Sequence, residues 1–494
     1  MNTSSLTPLR MFGLAAVCSV FIEVWSFVGL NHSSVRVALW VAIVLLAIVL
    51  AWRQPMLALS LVVIELVLGG KGYLASVSSI GGQGMSMRLG IFLAVFVVWA
   101  LRALRTRQIW GTQRPFRWFW LGMIGIVAWS VIVGILHHNG IRAVYLDANA
   151  FLFLGLVPAF GWLKNRDELY RIIGALGGAL VVVAFETGFA QVLFNHIAVG
   201  TVWNFFHWIH VTGVGEVTMI SSNLFRIFFR SHVYGLLAFA VGIGLSMREL
   251  KNHTWMWRGT AAAGLFVTII SLSRSFWLGG AVGLIAGVLA VVSTPTLRHD
   301  WKKLFVNVGI PVLLGILAFQ WALNFPGLWG GHPNANLLQA RLDVQTESAA
   351  SSRRELLPVI TKAIFQHPVV GSGLGTSLTF KTLDPRVNIT KNPTGTNYTS
   401  TAFELGWHAF AMQFGLPLFA LYVGMLGWFF WIGWRKIRTS ADERWPLLGF
   451  WVAGVALCGV HLTTPYLNHP LGLGILMLIA CAFALVPDQT HAER

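Results

Sequence analysis

The sequence predicts an all-α protein that crosses a membrane about 12–14 times, and three observations support this fold class. Hydrophobic residues make up 56 % of the 494-residue chain, and only 11 % are charged, against about 25 % in soluble domains. Fourteen apolar stretches approach the roughly 20 residues that a spanning helix needs. The loops between these stretches also divide by charge into two sets. The chain is therefore expected to be a polytopic membrane protein.

The apolar stretches follow one another closely, with one long interruption late in the chain. We expect about eleven spanning helices in residues 1–323, a large loop over 324–402, and about three further spanning helices in 403–494. The stretches cover residues 10–30, 36–52, 55–70, 87–104, 117–136, 148–163, 169–194, 232–248, 258–273, 275–294, 304–324, 402–434, 445–462 and 470–487.

Lysines and arginines set the expected orientation, because they are retained in cytoplasmic loops. The five most basic or mixed loops all fall on one side if the spans alternate, and that side is predicted to be cytoplasmic. They are residues 102–117, 164–171, 248–258, 298–303 and 435–444. The opposite, periplasmic side then receives residues 31–34, 71–86, 137–147, 195–231 and the large 324–402 loop. We predict an inner-membrane protein with its site on the periplasmic side.

The large loop is where a membrane protein of this kind is expected to do its chemistry, as a lid over a membrane-embedded site. Apolar spacing predicts a helix over Ser352–Gln366, ended by His367 and Pro368. The glycines at 371, 373 and 375 predict a tight, flexible turn, and residues 381–401 look irregular. The segment GSGLGT (371–376) resembles a phosphate cradle, but it lacks the lysine of a P-loop, and we reject a nucleotide site.

Arginines near the span ends on the predicted periplasmic side are candidates for binding a diphosphate. Arg226 and Arg230 are four residues apart, which would place them on one helix face. Arg274 lies in a short turn between two spans, and Arg353 and Arg354 open the predicted loop helix. Arginine matches phosphate oxygens and keeps its charge when partly desolvated. Snorkelling to the interface explains any one of them equally well, but two converging on one place favour a site.

Activation of a hydroxyl also needs a proton acceptor. Glu404 is expected at the N-terminus of the helix after the loop, and His408 one turn further along the same face. The plainer interpretations are a helix-end preference for Glu404 and a hydrogen-bonded bundle histidine for His408. The acidic residues of the outer loops are scattered, so no metal site is expected. The three cysteines lie inside apolar stretches and form no disulfide or zinc pattern. No cofactor is expected.

Three segments together resemble the O-antigen ligase and O-antigen polymerase superfamily. SSRRELLPVITKAIFQHPVVGSGLGT (351–376) is similar to its arginine, amphipathic helix and glycine motif. LSRSFWLGGAVGLIAG (272–287) resembles its arginine-led entry into a span, and FGLPLF (414–419) resembles its turn into the next helix. The resemblance covers roughly residues 226–419, together with the layout of many spans and one large late loop.

The resemblance implies a metal-independent, membrane-embedded glycosyltransferase of GT-C-like architecture. Its donor would be a glycan on undecaprenyl diphosphate, and its acceptor a second glycan or lipid A–core. By motif position, Arg274 and either Arg353 or Arg354 would hold the diphosphate, with Arg226 or Arg230 as a further contact. The ligases resemble one another in a histidine eleven residues before the last motif's glycine. In this chain that count reaches Glu404 and Leu405, so we favour a polymerase of lipid-linked O-antigen or exopolysaccharide repeat units over a ligase.

Two other classes remain open at the level of sequence. A transporter of lipid-linked sugars would also use buried arginines, but it should show two related halves. A non-catalytic scaffold would leave the arginines without a role. Besides the donor and acceptor, membrane lipids and a chain-length regulator are the expected partners, and no nucleic acid is expected.

Overall fold

The structure is a computed structural model that describes residues 6–78, 84–221, 224–248, 253–325, 348–384, 388, 390, 392 and 394–487. Residues 326–347 of the predicted large loop lie outside this description. In chain order the helices are α1 (Pro8–Val28), α2 (Ser33–Arg53), α3 (Pro55–Leu68), α4 (Met87–Thr106), α5 (Arg117–Leu136), α6 (Ile141–Phe151), α7 (Val157–Phe160), α8 (Arg166–His196), α9 (Trp203–Val211), α10 (Tyr234–Met247), α11 (Thr254–Ile270), α12 (Arg274–Ser293), α13 (Pro295–Arg298), α14 (Trp301–Asn324), α15 (Ser348–Gln366), α16 (Gly406–Phe414), α17 (Leu416–Thr439), α18 (Arg444–His461) and α19 (Pro470–Leu485).

Within the described ranges, nine helical stretches are long and apolar enough to cross a membrane. They are α1, α2, α4, α5 with the 3₁₀ turn before it, α6 with α7, α8, α12, α14 and α17. The other five predicted spans correspond to the shorter or less apolar helices α3, α10, α11, α18 and α19. The prediction of a helical, multi-pass membrane protein is therefore confirmed. One predicted span, 402–434, is wrong in detail, because Gly415 at φ 78° separates α16 from α17.

Helix α19 lies at the centre of the bundle. Every residue from Leu471 to Phe483 is buried, and the helix contacts α3, α8, α10 and α18. The Tyr234 hydroxyl donates to the Leu471 carbonyl at 3.0 Å. An apolar helix buried on all sides is typical of the interior of a membrane bundle, where every backbone group is satisfied within the helix.

Small residues allow the surrounding helices to approach closely. A side chain at Gly178 of α8 would collide with the Phe12 backbone of α1, and one at Gly279 would meet the Ala456 carbonyl of α18 at 2.6 Å. Helices in lipid usually pack through close backbone contact at small residues. Lipid tails are as apolar as the side chains, so helix association depends on van der Waals packing and not on the hydrophobic effect.

Three two-stranded antiparallel hairpins interrupt the helices. They are β1 (Ser76–Ser78) with β2 (Gly84–Ser86), β3 (Gly215–Ser221) with β4 (Leu224–Phe229), and β5 (Leu378–Thr382) with β6 (Thr396–Ser400). They correct two expectations. Within residues 381–401, Lys381, Thr382 and Thr396–Ser400 belong to the third hairpin, in which Phe380 lies edge-on to Tyr398. Arg226 lies on strand β4 and not on a helix, paired opposite Thr218.

The predicted turn at 371–376 is largely buried, and its hydrogen bonds tie the loop to the bundle. The Leu374 amide donates to the Ser130 carbonyl of α5 at 2.9 Å, and the Gly375 amide donates to Asp147 of α6 at 2.8 Å. Gly373 has φ 77° and sits against the Gly134 backbone, where a Cβ would collide. Since these amides are used within the protein, the segment fastens the loop to α5 and α6.

The loops gather at two ends of the bundle, as the alternation of spans predicts. At one end the 69–72 turn binds the residues just before β3, through the Lys71 amide and the Gly213 carbonyl at 3.0 Å. The Tyr466 hydroxyl joins the residues after α18 to the end of β4, Pro465 lines one cavity with Phe380 of β5, and β1 follows the 69–72 turn. The three hairpins and the residues after α18 therefore lie at this end, which we call the hairpin end. At the opposite end, the Thr112 amide donates to the Gly161 carbonyl at 3.1 Å, the Trp445 indole donates to Asp300 at 2.9 Å, and Glu443 pairs with both Arg166 and Arg248. The loops predicted to be cytoplasmic therefore share the opposite end.

Candidate active site

The turn between α18 and α19, Thr463 to His469, is the meeting point of the polar groups at the hairpin end. The Ser275 hydroxyl lies 2.6 Å from that of Thr464, which ties the turn to the first residues of α12. The Tyr466 hydroxyl donates to the Arg230 carbonyl at 2.8 Å. Pro465 lines a cavity under the large loop. No sequence motif singled out this turn, yet it adjoins most of the predicted site.

The cavity beside Pro465 has a volume of about 410 Å³ and contains an ion pair. Arg353 Nε lies 2.8 Å from Glu404 Oε2, and both side chains remain partly exposed. The N–H does not point along the line to the oxygen, so the contact is a charge contact without hydrogen-bond alignment. The lining residues are Ser352, Arg353, Leu356, Phe380, Asp384, Tyr398, Ser400, Ala402, Phe403, Glu404 and Pro465.

Local packing explains why Arg353 and not Arg354 enters this cavity. Leu356 and Ile360 are buried against β5 and α16, and Arg353 lies one turn before Leu356 on the same face of α15. Arg354 is rotated away and exposed. The structure therefore brings Arg353 together with Glu404 and leaves Arg354 apart.

Glu404 is turned into the cavity by its neighbours. Phe403 and Leu405 are 5 % and 9 % exposed and anchor the extended segment on both sides, so the residue between them faces away from the core. The predicted helix begins only at Gly406, two residues later. The expectation that Glu404 starts the helix is wrong, and its charge is balanced by Arg353 instead of by a helix terminus.

Arg226 contacts the turn that precedes α12, the helix that begins with Arg274. Arg226 Nε donates to the Ser271 carbonyl at 2.9 Å, and its guanidinium lies over the Phe228 ring at 4.6 Å. Arg274 is the first residue of α12, directly before Ser275, whose hydroxyl contacts the 463–469 turn. Strand β4 and the start of α12 thus place both predicted arginines at the 271–275 segment, and Ser275 of that segment contacts the 463–469 turn.

Arg230 and His408 have different surroundings from those predicted. Arg230 forms an ion pair with Glu216, at 3.2 Å between Nη2 and Oε1. Burial raises the pKa of the Tyr466 phenol, and the nearby Arg230 and Arg226 guanidiniums only partly offset this increase. Tyr466 therefore stays protonated and acts as a hydrogen-bond donor. His408 is half-buried on α16, and its Nδ1 has no partner among the described residues. His408 is not among the residues lining the Arg353–Glu404 cavity, and no contact joins it to Glu404 within the described chain.

Four polar residues at the hairpin end were not predicted from the sequence. Glu65 on α3 and Arg88 on α4 form a buried ion pair, at 2.8 Å between Oε2 and Nε. Lys71 lies in the turn between these helices, and His469 caps α19, with its Nδ1 accepting from the Leu471 amide at 3.3 Å. Glu65 carried a signal, since an ionisable residue inside an apolar span is a functional candidate.

An apolar groove of about 610 Å³ runs between α8, α11 and α14. Its lining is almost wholly apolar, with Phe185, Phe189, Phe266 and Trp321 the largest side chains. Such a groove can accommodate an isoprenoid or acyl chain, because burial of hydrocarbon needs no polar partner.

In the part of the chain that the structure describes, no group of three or more His, Cys, Asp or Glu side chains is arranged to hold a metal ion. Compared with protein-family models, with curated proteins and with solved structures, the chain matches none of them.

Proposed function

We propose that this protein is a membrane-embedded glycosyltransferase that acts on a glycan linked to undecaprenyl diphosphate. In this proposal it joins lipid-linked repeat units without a metal ion, and the hairpin end faces the periplasm of a bacterial inner membrane. The observation that carries the proposal is the Arg353–Glu404 pair, 2.8 Å apart in a cavity beside the 463–469 turn. The same turn adjoins Arg274 through the Ser275–Thr464 contact.

The reaction needs a general base, cations that stabilise the leaving diphosphate, and a groove for the polyprenyl chain. The acceptor hydroxyl attacks the anomeric carbon of the donor sugar while the bond from that carbon to the diphosphate oxygen breaks. Glu404, half-exposed at the cavity, takes the proton of the hydroxyl as general base. Arg353, Arg274 and Arg226 stabilise the negative charge that develops on the leaving diphosphate. The apolar groove between α8, α11 and α14 is wide enough for part of the polyprenyl chain.

The test is turnover by the purified protein in lipid, with an undecaprenyl-diphosphate-linked repeat unit, without divalent metal, and with products followed by mass spectrometry. We expect a ladder of longer lipid-linked glycans. Glu404→Gln and Arg353→Gln should each lower the rate by about 10²-fold or more, because each removes a charge that acts in the transition state. Arg354→Gln is the matched control, since loss of its exposed charge should change the rate by less than about threefold.

Two outcomes would change the assignment. Transfer only after lipid A–core is added would make the protein a ligase, despite glutamate at the position of the ligases' histidine. Full activity of Glu404→Gln, or a larger loss in Arg354→Gln than in Arg353→Gln, would contradict the proposed roles of Glu404 and Arg353. No turnover with either acceptor, from protein that folds, would contradict the proposal and favour a transporter of lipid-linked sugars.

A further inference from the structure

A second charged cluster surrounds His469, the last residue of the 463–469 turn, and none of its residues lines the Arg353–Glu404 cavity. It contains Lys71, Arg88 and Arg230 as cations, with Glu65 and Glu216 as carboxylates. His469 interacts electrostatically with all three cations, so the cations share one neighbourhood. The Lys71 charge likewise interacts with Arg230 and Glu216. We call this set the His469 cluster.

The cations of the His469 cluster keep hydrogen-bond donors that the protein does not use. Arg88 is 8 % exposed; its Nε binds Glu65, while its Nη2 is buried without a partner among the described residues. Arg230 binds Glu216 through Nη2, and its buried Nε has no partner in the same part of the chain. A buried donor without a partner destabilises a fold, because it has lost water and gained nothing in return. Two such donors beside one histidine therefore indicate that something outside the chain accepts from them.

The charge balance of the cluster points to an anion. Three cations face two carboxylates, and each carboxylate already pairs with one cation through one oxygen, while Glu65 Oε1 is buried without a partner among the described residues. Partial burial lowers the pKa of Lys71, and the nearby Arg230 lowers it further. Burial also lowers the pKa of His469 to about 3, with Arg88, Arg230 and Lys71 acting in the same direction. His469 is therefore neutral at physiological pH, and since its Nδ1 accepts from Leu471, its Nε2 carries a hydrogen and is a further donor.

Two glycines let the backbone pack closely against two of the cations. Gly72 has φ 90°, and a Cβ there would lie 2.6 Å from Arg88 Cβ and 3.4 Å from its Nε. Gly213 lies against the stem of Lys71, where a Cβ would approach to 2.8 Å. Side chains at either glycine would displace the two cations. The donors also come from different directions, namely the turn after α3, the start of α4, the end of β4 and the start of α19.

We propose that the His469 cluster is a binding site for a phosphate-type oxyanion. Its donors are the Lys71 ammonium, Arg88 Nη2, Arg230 Nε and His469 Nε2. Donors that come from several elements suit the tetrahedral oxygens of a phosphate better than a planar carboxylate, which one guanidinium edge would satisfy. The phosphate belongs either to a lipid headgroup or to a soluble phosphate compound. This site goes beyond the proposed function and does not depend on it.

The test is titration of the full-length protein with inorganic diphosphate, by calorimetry, in nanodiscs of phosphatidylcholine. We expect saturable binding in which Lys71→Ala raises the Kd by at least tenfold, while Lys71→Arg stays within about threefold. Lys71 is exposed, so its loss should leave the fold intact. Arg230→Gln provides a second variant from another element. Lys302→Ala, an exposed lysine at the opposite end, is the matched control and should leave the Kd unchanged.

A second series in nanodiscs that contain phosphatidylglycerol identifies the source of the phosphate. A diphosphate Kd that rises with the phosphatidylglycerol content, in wild type but not in Lys71→Ala, would assign the site to a lipid headgroup. An unchanged Kd would assign it to a soluble or diphosphate-bearing ligand. Both results support an oxyanion site.

The same titration separates this inference from the proposed function. Binding that is lost in Arg353→Gln and unchanged in Lys71→Ala and Arg230→Gln would overturn the His469 site and leave the glycosyltransferase proposal standing. Binding that is weakened only by Lys71→Ala and Arg230→Gln would support the His469 site and remove the diphosphate role of Arg353. Absence of saturable binding up to millimolar diphosphate would overturn both anion assignments.

Discussion

The two ends of the bundle use the same kinds of charged residue in opposite ways. At the end away from the hairpins, Glu443 is 1 % exposed and faces Arg166 at 2.9 Å, Arg248 at 3.1 Å and the Tyr170 hydroxyl. No buried polar atom of these four side chains lacks a partner among the described residues. In the His469 cluster, by contrast, two buried guanidinium nitrogens have none within the same ranges. The buried polar groups around Glu443, which we call the Glu443 clamp, all find partners within the described chain. Those of the His469 cluster do not, as expected of a site that a ligand completes.

The largest expected effect that sharpens this comparison is on stability at the Glu443 clamp. Glu443→Ala should lower the free energy of unfolding by about 3 kcal/mol, because it leaves Arg166 and Arg248 without their buried counter-charge. This value is at the lower end for a broken buried pair, since both arginines are partly exposed. The measurement is thermal unfolding in detergent, and Asp442→Ala, the exposed neighbour, should change stability by less than about 0.5 kcal/mol. Equal losses in the two variants would contradict a clamp.

A smaller loss, and one that a ligand can restore, is expected at the hairpin end. Glu65→Gln removes the carboxylate that pairs with the buried Arg88 and should lower the free energy of unfolding by about 2 kcal/mol. Inorganic diphosphate at about 100 times its Kd should stabilise the wild type by about 2.7 kcal/mol, since it binds only the folded protein. At that concentration Glu65→Gln should gain more, because its Arg88 is free to bind the anion.

The control for this rescue is the Glu443 clamp, measured by the same thermal unfolding. Glu443→Ala should gain from diphosphate only what the wild type gains, because its unpaired arginines lie at the opposite end from the His469 cluster. If diphosphate stabilised Glu443→Ala and Glu65→Gln equally beyond the wild type, the anion would not distinguish the two ends of the bundle.

The smallest expected effect is a pH dependence that only the hairpin end contributes. The pKa of His469 is about 3 in the fold and near 6.5 when unfolded, so the unfolded chain binds the proton first as pH falls. Stability from His469 is therefore complete above about pH 6.5 and is lost on acidification towards pH 3. For this half-buried group we expect a loss of about 1 kcal/mol between pH 7 and pH 5.

The measurement for His469 is the difference in thermal midpoint between pH 7 and pH 5. His469→Asn keeps a good N-cap for α19 and removes the titrating group. The variant should lose less stability on acidification than the wild type does. Identical pH profiles would show that His469 is charged in the folded protein at pH 5.

The helices could be predicted from sequence because their signal is local. The length of each apolar run and the alternation of basic loops depend on no distant residue, so the predicted spans fall on helices, except that 402–434 holds two helices and not one. The hairpins were missed for the opposite reason. A pair such as Arg226 opposite Thr218 exists only through strand pairing, and four-residue spacing fits either secondary structure.

The sequence indicated which types of residue form the candidate site, but not which individual residues come together. Arg353 and Arg354 are adjacent in sequence, and the position of Glu404 beside α15 decides which one enters the cavity. The periodicity of Leu356 and Ile360 does favour Arg353, but Leu357 obscures it by being apolar and 41 % exposed. Lys71 and His469 could not be found together, because their proximity depends on the packing of α19 within the bundle.

The central place of α19 has a consequence for the order in which the protein assembles. Helices α3, α8 and α10 are synthesised long before the helix that they enclose. Until α19 inserts, these helices lack their common partner, and Arg230 lacks its contact with Tyr466. Both charged regions of the hairpin end adjoin the turn that leads into α19. These regions are therefore completed late in biogenesis, and the nascent chain passes through most of its synthesis with neither of them assembled.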